Sequence, residues 1–469
     1  MRLRNWQASC IASAMAKYES KDKHFLCLAT PAAGKTTMAS ILADRMMRAG
    51  MIDLVLCFSP SVTVATDFEN SLGAHLGARM DGLLGSKGQS LTYQSMSFLP
   101  DVFWALFDTH RIFVIFDEIH HCAGLSLESA NAWGQQIIRR IQGRAAYTLA
   151  LTGTPWRSDK IPIALSSYLQ TGNIHCDFRY GLAQAIRDNV CRVPQVTLID
   201  NDRIAVHQGT DREEYYSIRE LLEGSRCSYQ QLIDNDDLII YLLKQSAKKL
   251  TQLRKQRPDA GGLIVAASVE HAYKIADLLL RHQGVQPHIA TYAEEDAQGI
   301  IQRFRENTDP WIISVGMISE GTNIPRLQVC CHLTRVKTEL HFRQVLGRIL
   351  RVCGNDDGVG FLFMPAEPSL VEYAERVAEE IPEANAVRLD VMPSDKISAE
   401  PYQSTPRAEV TPTTIKLGFS ETPIKSNEPT ETPMEIAPGN SMLAKYYEAN
   451  INMSGRFSQE LLTLHQLCA

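Results

Sequence analysis

Short apolar runs, rich in β-branched and aromatic residues, alternate along most of the chain with longer stretches that place apolar side chains on one face of a helix. The first four runs are Phe25 to Ala29, Leu54 to Ser59, Ile112 to Phe116 and Tyr147 to Leu151. After a gap come Gly262 to Ala267, Trp311 to Val315, Gln328 to Leu333 and Gly360 to Phe363, interleaved with helix-like segments such as Val269 to Gln283. Uninterrupted apolar runs of strand length, separated by helices, predict parallel sheets with both faces covered. The pattern therefore predicts two α/β units, residues 1–160 and 258–385. Between them, in residues 161–257, charge density rises and the strand signal thins. A helical stretch from Leu238 to Arg257 leads into Pro258, which predicts an inter-domain connection with some structure of its own.

Beyond the second unit the pattern is lost. Eight of the chain's 21 prolines fall between Pro393 and Pro438, among serine, threonine and few large apolar residues, so residues 386–438 are predicted to be a disordered linker. In residues 439–469 helical spacing returns: Ser441 could cap Met442 to Ala449, and Ser458, Glu460, Leu461, Leu462, Leu464 and Leu467 read as a short amphipathic helix. Two roles suit that end, a tethered element docking on a protein partner or a helix folded back on the body.

Composition narrows the class. With 469 residues the chain can bury two or three cores, and a hydrophobic fraction of 45% beside 21% charged residues is that of an ordinary globular protein. No apolar run is long enough to cross a bilayer and the first residues carry no apolar leader core, which predicts a cytoplasmic protein away from membranes. The 11 cysteines contain no Cys-x-x-Cys pair and read as buried free thiols, with a zinc site as the sharper alternative. Net charge is −6, but the first 388 residues are nearly neutral, with 41 basic and 43 acidic side chains. Any polyanion must therefore be met by a local groove rather than a global field.

Three segments carry candidate chemistry. Ala29-Thr-Pro-Ala-Ala-Gly-Lys-Thr36 lies between a strand and a helix-like stretch, the setting of a phosphate loop. The backbone of Ala32, Ala33, Gly34, Lys35, Thr36 and Thr37 would face the phosphates, Lys35 would supply charge, and Thr36 would ligate Mg²⁺. Ala29 stands where the general pattern has its first glycine. Val114-Ile-Phe-Asp-Glu-Ile-His-His121 is an apolar strand ending in two carboxylates, where Asp117 could hold Mg²⁺ and Glu118 could orient and deprotonate water. In Gln344-Val-Leu-Gly-Arg-Ile-Leu-Arg351, Gln344, Arg348 and Arg351 fall at i, i+4 and i+7 opposite an apolar stripe. That face suits either arginine fingers for a phosphate on the facing domain or a solvated basic surface.

Together and in this order, the motifs resemble those of superfamily 2 helicases of the DEAD/DEAH-box (DExH) kind, similar to DNA-repair and type III restriction-like translocases, over roughly residues 1 to 365. Leu3-Arg-Asn-Trp-Gln7 resembles the family's glutamine motif, which implies that Gln7 reads the adenine edge. Asp-Glu-Ile-His at 117 to 120 resembles the signature box. Leu151-Thr-Gly-Thr-Pro-Trp-Arg157 resembles the motif that couples hydrolysis to domain movement through Thr152 and Thr154. Ser319-Glu-Gly-Thr-Asn-Ile-Pro325 resembles the second domain's motif touching nucleotide and strand, with Asn323 where the family usually has aspartate. An amide can still bond a ribose hydroxyl, though without charge, so the departure bears on nucleotide affinity.

The resemblance implies two RecA-like P-loop NTPase domains, parallel sheets flanked by helices, which bind ATP and Mg²⁺ between them. Lys35, Asp117, Glu118, Gln344, Arg348 and Arg351 would then form the catalytic set. It also implies strand contacts at Ser59, in the segment from Thr92 to Ser95, at Ser268 and at Thr322. The expected activity is ATP-driven movement along nucleic acid, DNA rather than RNA. The alternatives are the motor subunit of a restriction or defence assembly, or a clamp that closes on ATP without hydrolysing it.

Overall fold

The computed structural model describes residues 3–154, 157, 161–170, 174–208, 211–318, 324–352, 358–379, 384–389 and 450–466. The first sheet holds β1 (His24–Ala29), β2 (Leu54–Ser59), β3 (Gly88–Thr92), β4 (Ile112–Phe116), β5 (Tyr147–Thr152) and β6 (Phe178–Tyr180) in the order β3-β2-β4-β5-β1-β6. Every pairing in it is parallel. Both faces are covered, as continuous apolar runs require. Phe113 and Ile115 of β4 point into a core shared with the helices Asn5–Glu19, Lys35–Arg48 and Val62–Leu76. Ile112, Val114 and Phe116 point the other way, against Trp104, Phe107, Ile137 and Ile141.

The stretch 161–257 is shared between two sheets. It adds β6 to the first and then crosses to the second with β7 (Val193–Asn201). A hairpin follows, β8 (Ile204–Gln208) and β9 (Asp211–Tyr215), and then the helix Asp236–Arg254, whose N-cap Asn235 accepts a hydrogen bond from the Leu238 amide. The second sheet continues with β10 (Gly261–Ala266), β11 (His288–Thr291), β12 (Trp311–Val315), β13 (Leu327–Leu333) and β14 (Val359–Pro365), and ends with β15 (Ala384–Leu389). Two strands close the chain, β16 (Asn450–Met453) and β17 (Phe457–Gln466). The order is β11-β12-β10-β13-β14-β7-β17-β15, parallel as far as β7 and antiparallel thereafter, and β16 joins the hairpin in a three-stranded sheet β16-β8-β9.

The chain end is a correction to the sequence reading. Residues 457–466, expected to be a short amphipathic helix, are strand β17, and residues 384–389, which overlap the start of the expected linker, are strand β15. The leucines of this end satisfy either period, and the open edge of β7, more than 250 positions earlier, selects the extended form. Phe457 pairs with Asn201 and Thr463 with Gln195, while the Phe457 ring stacks on Tyr241 at 4.3 Å. The rest of the expected linker, residues 390–438, and the expected helix from Met442 to Ala449 lie outside the described residues.

Deleting residues 450–469 is expected to lower the melting temperature by about 10 °C. Ile451, Met453 and Leu462 are buried, and losing three such side chains costs about 4 kcal/mol. A melting curve unchanged by the deletion would show that β16 and β17 are dispensable.

Candidate functional site

The carboxyl ends of β1, β4 and β5 lie side by side in the first sheet, so the loops that follow them meet. After β1 the chain passes through Thr30 to Gly34 into the helix Lys35–Arg48. Gly34 takes φ +93°, where a side chain would be strained, and a Cβ there would come within 2.9 Å of Gln7 Nε2. Ala32 also sits at positive φ, +69°, in a place where the resembled family often has glycine. Gln7 is buried against this loop: its Nε2 donates to Gly34 O at 3.0 Å and its Oε1 accepts from the Arg4 amide at 3.0 Å.

Lys35 Nζ lies 3.0 Å from Glu118 Oε1 and donates to Ala29 O at 3.2 Å. The Gly153 amide donates to Glu118 Oε2 at 3.1 Å, tying the loop after β5 to the acidic pair. Thr152 and Thr154 are both buried and bonded to one another, and Thr152 Oγ1 lies 3.0 Å from His120 Nδ1. The hydroxyls expected to couple hydrolysis to movement thus touch the signature box directly. Electrostatics separates the two carboxylates. Burial, and then repulsion from Glu118, pushes Asp117 up to about 7 against the pull of Lys35. Burial also opposes ionisation of Glu118, but Lys35 and then His120 outweigh it and hold this group below the usual glutamate range.

The facing wall comes from the second sheet. Thr338 caps the helix Glu339–Ile349, accepting from the His341 amide at 3.3 Å. Phe342, Val345, Leu346, Ile349 and Leu350 are all buried, which turns Gln344, Arg348 and Arg351 toward the first domain. The three line a cleft of about 360 Å³ with residues 31–37, Asp117 and Glu118. Arg348 and Arg351 thus face this cleft and are half-buried in it. Burial, then the neighbouring Arg348, lowers Arg351 to about 9, while Asp67 opposes the shift.

Among the cleft residues to which the sequence reading gave no role are Asp67, Pro31 and Gly347. Asp67, on the helix Val62–Leu76, shares the cleft with Arg351 and had no motif to mark it. Gly347 and Pro31 meet closely between the domains: a Cβ on Gly347 would lie 2.5 Å from Pro31 Cβ, and Cys191 Sγ reaches Pro31 O at 3.6 Å. A glycine inside an otherwise helical pattern was the available signal for that close approach.

The expected strand contacts fare unevenly. Ser59 is fully buried, with its hydroxyl toward Cys57 Sγ, so its side chain does not reach the surface; both faces of β2 are covered, and every residue from Val55 onward is buried. Thr92 is half-buried at the end of β3, and its carbonyl accepts from Ser95 Oγ. Ser268, just beyond β10, caps the helix Val269–Gln283 by accepting from the His271 amide. Thr322 and Asn323 lie outside the described residues. Among the described residues nine cysteines are free thiols, eight of them buried, and no group of three or more His, Cys, Asp or Glu could hold a metal. No described helix is long and apolar enough to cross a membrane.

Family comparison agrees with this geometry. Residues 1–157 match the family described as the type III restriction enzyme res subunit, and residues 245–353 match the helicase conserved C-terminal domain. The chain therefore carries helicase-related domains in both of its α/β units. Among curated relatives, an uncharacterized protein of Mycobacterium leprae is 30% identical over 392 residues, covering 80% of this chain and 64% of its own. One from Mycobacterium tuberculosis is 28% identical over 388 residues, covering 79% and 62%. This helicase-type chain therefore spans a little under two thirds of the length of these relatives. The solved ATP-dependent Type ISP restriction-modification enzyme LlaBIII bound to DNA shares the fold, with a TM-score of 0.52 at 14% identity over 81% of this chain and 30% of that one.

Proposed function

We propose that this helicase-type chain is an ATP-dependent DNA translocase, hydrolysing ATP between its two RecA-like domains. One observation carries the reading: a single cleft gathers Lys35, Asp117 and Glu118 from the first domain with Gln344, Arg348 and Arg351 from the second. ATP with Mg²⁺ supplies the phosphoanhydride bond and the charge that makes its γ-phosphorus open to attack. The residues present fit such a group. Asp117 sits in a buried carboxylate pair with its affinity for protons raised, as suits a carboxylate built to face a cation, and Thr36 lines the same cleft. Lys35 and the amides of residues 32–37 would bind the phosphates, and Gln7 and Asn323 would meet the base and ribose. Glu118 would orient water and take its proton, while Arg348 and Arg351 would stabilise negative charge on the transferred group.

Because the arginines and the phosphate loop stand on different domains, their approach and release would move the domains relative to one another, and Thr152 and Thr154 would link that motion to the acidic pair. Thr92, Ser268 and Thr322 would hold strand phosphates without reading bases. The match of residues 1–157 to a restriction-enzyme subunit family, and the shared fold with an enzyme solved on DNA, support DNA over RNA.

The test is steady-state ATP hydrolysis alone and with single-stranded, duplex or forked DNA or RNA, beside Lys35→Ala. Turnover is expected to rise at least about tenfold with DNA and to vanish in the variant. ATP-dependent binding without hydrolysis would leave a clamp, and stimulation by RNA alone would overturn the choice of DNA.

A further inference from the structure

The loop expected to meet a nucleic-acid strand and the acidic pair expected to activate water are joined through one side chain. Tyr93 follows Thr92 at the end of β3, and its amide donates to Ser59 O at 2.9 Å. Its ring is fully buried and its hydroxyl donates to the backbone carbonyl of Asp117 at 2.8 Å. Trp133 holds the ring by stacking, with centroids 5.5 Å apart and planes 18° from parallel. Trp133 in turn lies 6.2 Å from the His121 ring, and Asn131, which caps its helix, donates to His121 O at 2.8 Å.

The bonded carbonyl belongs to the peptide that joins Asp117 to Glu118. Glu118 stands in the left-handed region, at φ +49°, which a non-glycine residue adopts only where its surroundings hold it. Fixing the Asp117 carbonyl fixes that peptide plane, and with it the direction in which the Glu118 side chain leaves the backbone toward Lys35 and the Gly153 amide. Burial raises the Tyr93 phenol well above its ordinary range, so the hydroxyl remains a donor. Thr92 and Ser95 flank Tyr93 and are tied together by Ser95 Oγ donating to Thr92 O.

We propose that Tyr93 is the positioning residue through which a strand held at Thr92 and Ser95 sets the orientation of Glu118, so that nucleic acid stimulates hydrolysis by completing the geometry of the water-activating carboxylate. The inference rests on the translocase reading. Tyr93→Phe keeps the ring and its stack but removes the bond to Asp117. The measurements are turnover with and without saturating single-stranded DNA, KM for ATP, anisotropy of a labelled oligonucleotide, and melting. Stimulated kcat is expected to fall about tenfold, with KM, oligonucleotide affinity and melting within about twofold or 2 °C of the parent. Trp133→Leu, which frees the ring and leaves the hydroxyl in place, is expected to lower stimulated kcat in the same way. Stimulated rates equal to the parent in both variants, or a loss fully explained by weaker oligonucleotide binding, would overturn the role of Tyr93 and leave the translocase reading intact. A parent protein that no nucleic acid stimulates would overturn both.

Discussion

Glu118→Gln lowers turnover by about 10²–10⁴-fold while leaving ATP binding in place, the loss expected when a general base is removed without changing its shape. The glutamine oxygen can still accept from the Gly153 amide or from Lys35, as Glu118 Oε2 and Oε1 do, so the loop after β5 keeps its place. What disappears is the charge that draws a proton from water and balances Lys35. Stability should fall by about 1–3 kcal/mol, because the single glutamine oxygen replaces only one of the two acceptors and deprives either Lys35 or the Gly153 amide of its partner. Single-turnover hydrolysis measured beside fluorescent-nucleotide binding separates the two effects. Turnover within about threefold of the parent would place water activation elsewhere, whereas loss of binding together with turnover would make Glu118 part of the phosphate cradle rather than the base.

Gly347→Ala is the second large effect, about 10²-fold in kcat, and it removes no ionisable group from the cleft. The added Cβ would lie 2.5 Å from Pro31 Cβ, so the helix that bears Gln344, Arg348 and Arg351 must withdraw from the phosphate loop by about 1 Å before the two can coexist. A displacement of that size at a positioning contact is worth about two orders of magnitude in rate. Alanine also favours a helix over glycine by about 0.5–1 kcal/mol, so the second domain should melt no lower than the parent. Lost activity would then not be a consequence of unfolding. Arg351→Ala supplies the comparison: if the glycine acts only by setting arginine distance, the double variant should be little worse than Arg351→Ala alone. A Gly347→Ala protein with parental turnover would mean that the domains close by a different contact.

Much of the fold was legible in the sequence because its parallel strands are buried on both faces, and such strands need near-continuous apolar runs. Ile112–Phe116, Leu54–Ser59 and Trp311–Val315 are of this kind and appear at the predicted places. The residues that meet in the cleft were legible for a related reason. Lys35, Asp117 and Glu118 sit at strand or helix ends, and Gln344, Arg348 and Arg351 lie on one helix face, so short spacings declare them.

Strands at the margins were not legible. β3, β6 and β11 are short, β7 begins with a proline at its second position, and β17 offers leucines that satisfy a helix as well as a strand. What makes these segments strands is an unpaired edge supplied by residues far away in the chain, and local periodicity carries no record of it. The same limit holds in the cleft. Sequence alone determined which residues could handle a phosphate, because charge and hydrogen-bonding capacity are properties of the side chain. Tertiary structure decided that Gly347 meets Pro31, that Asp67 shares a cleft with Arg351, that Ser59 is sealed inside while Thr92 is half-exposed, and that Tyr93 reaches Asp117. These are distances between segments that only packing brings together.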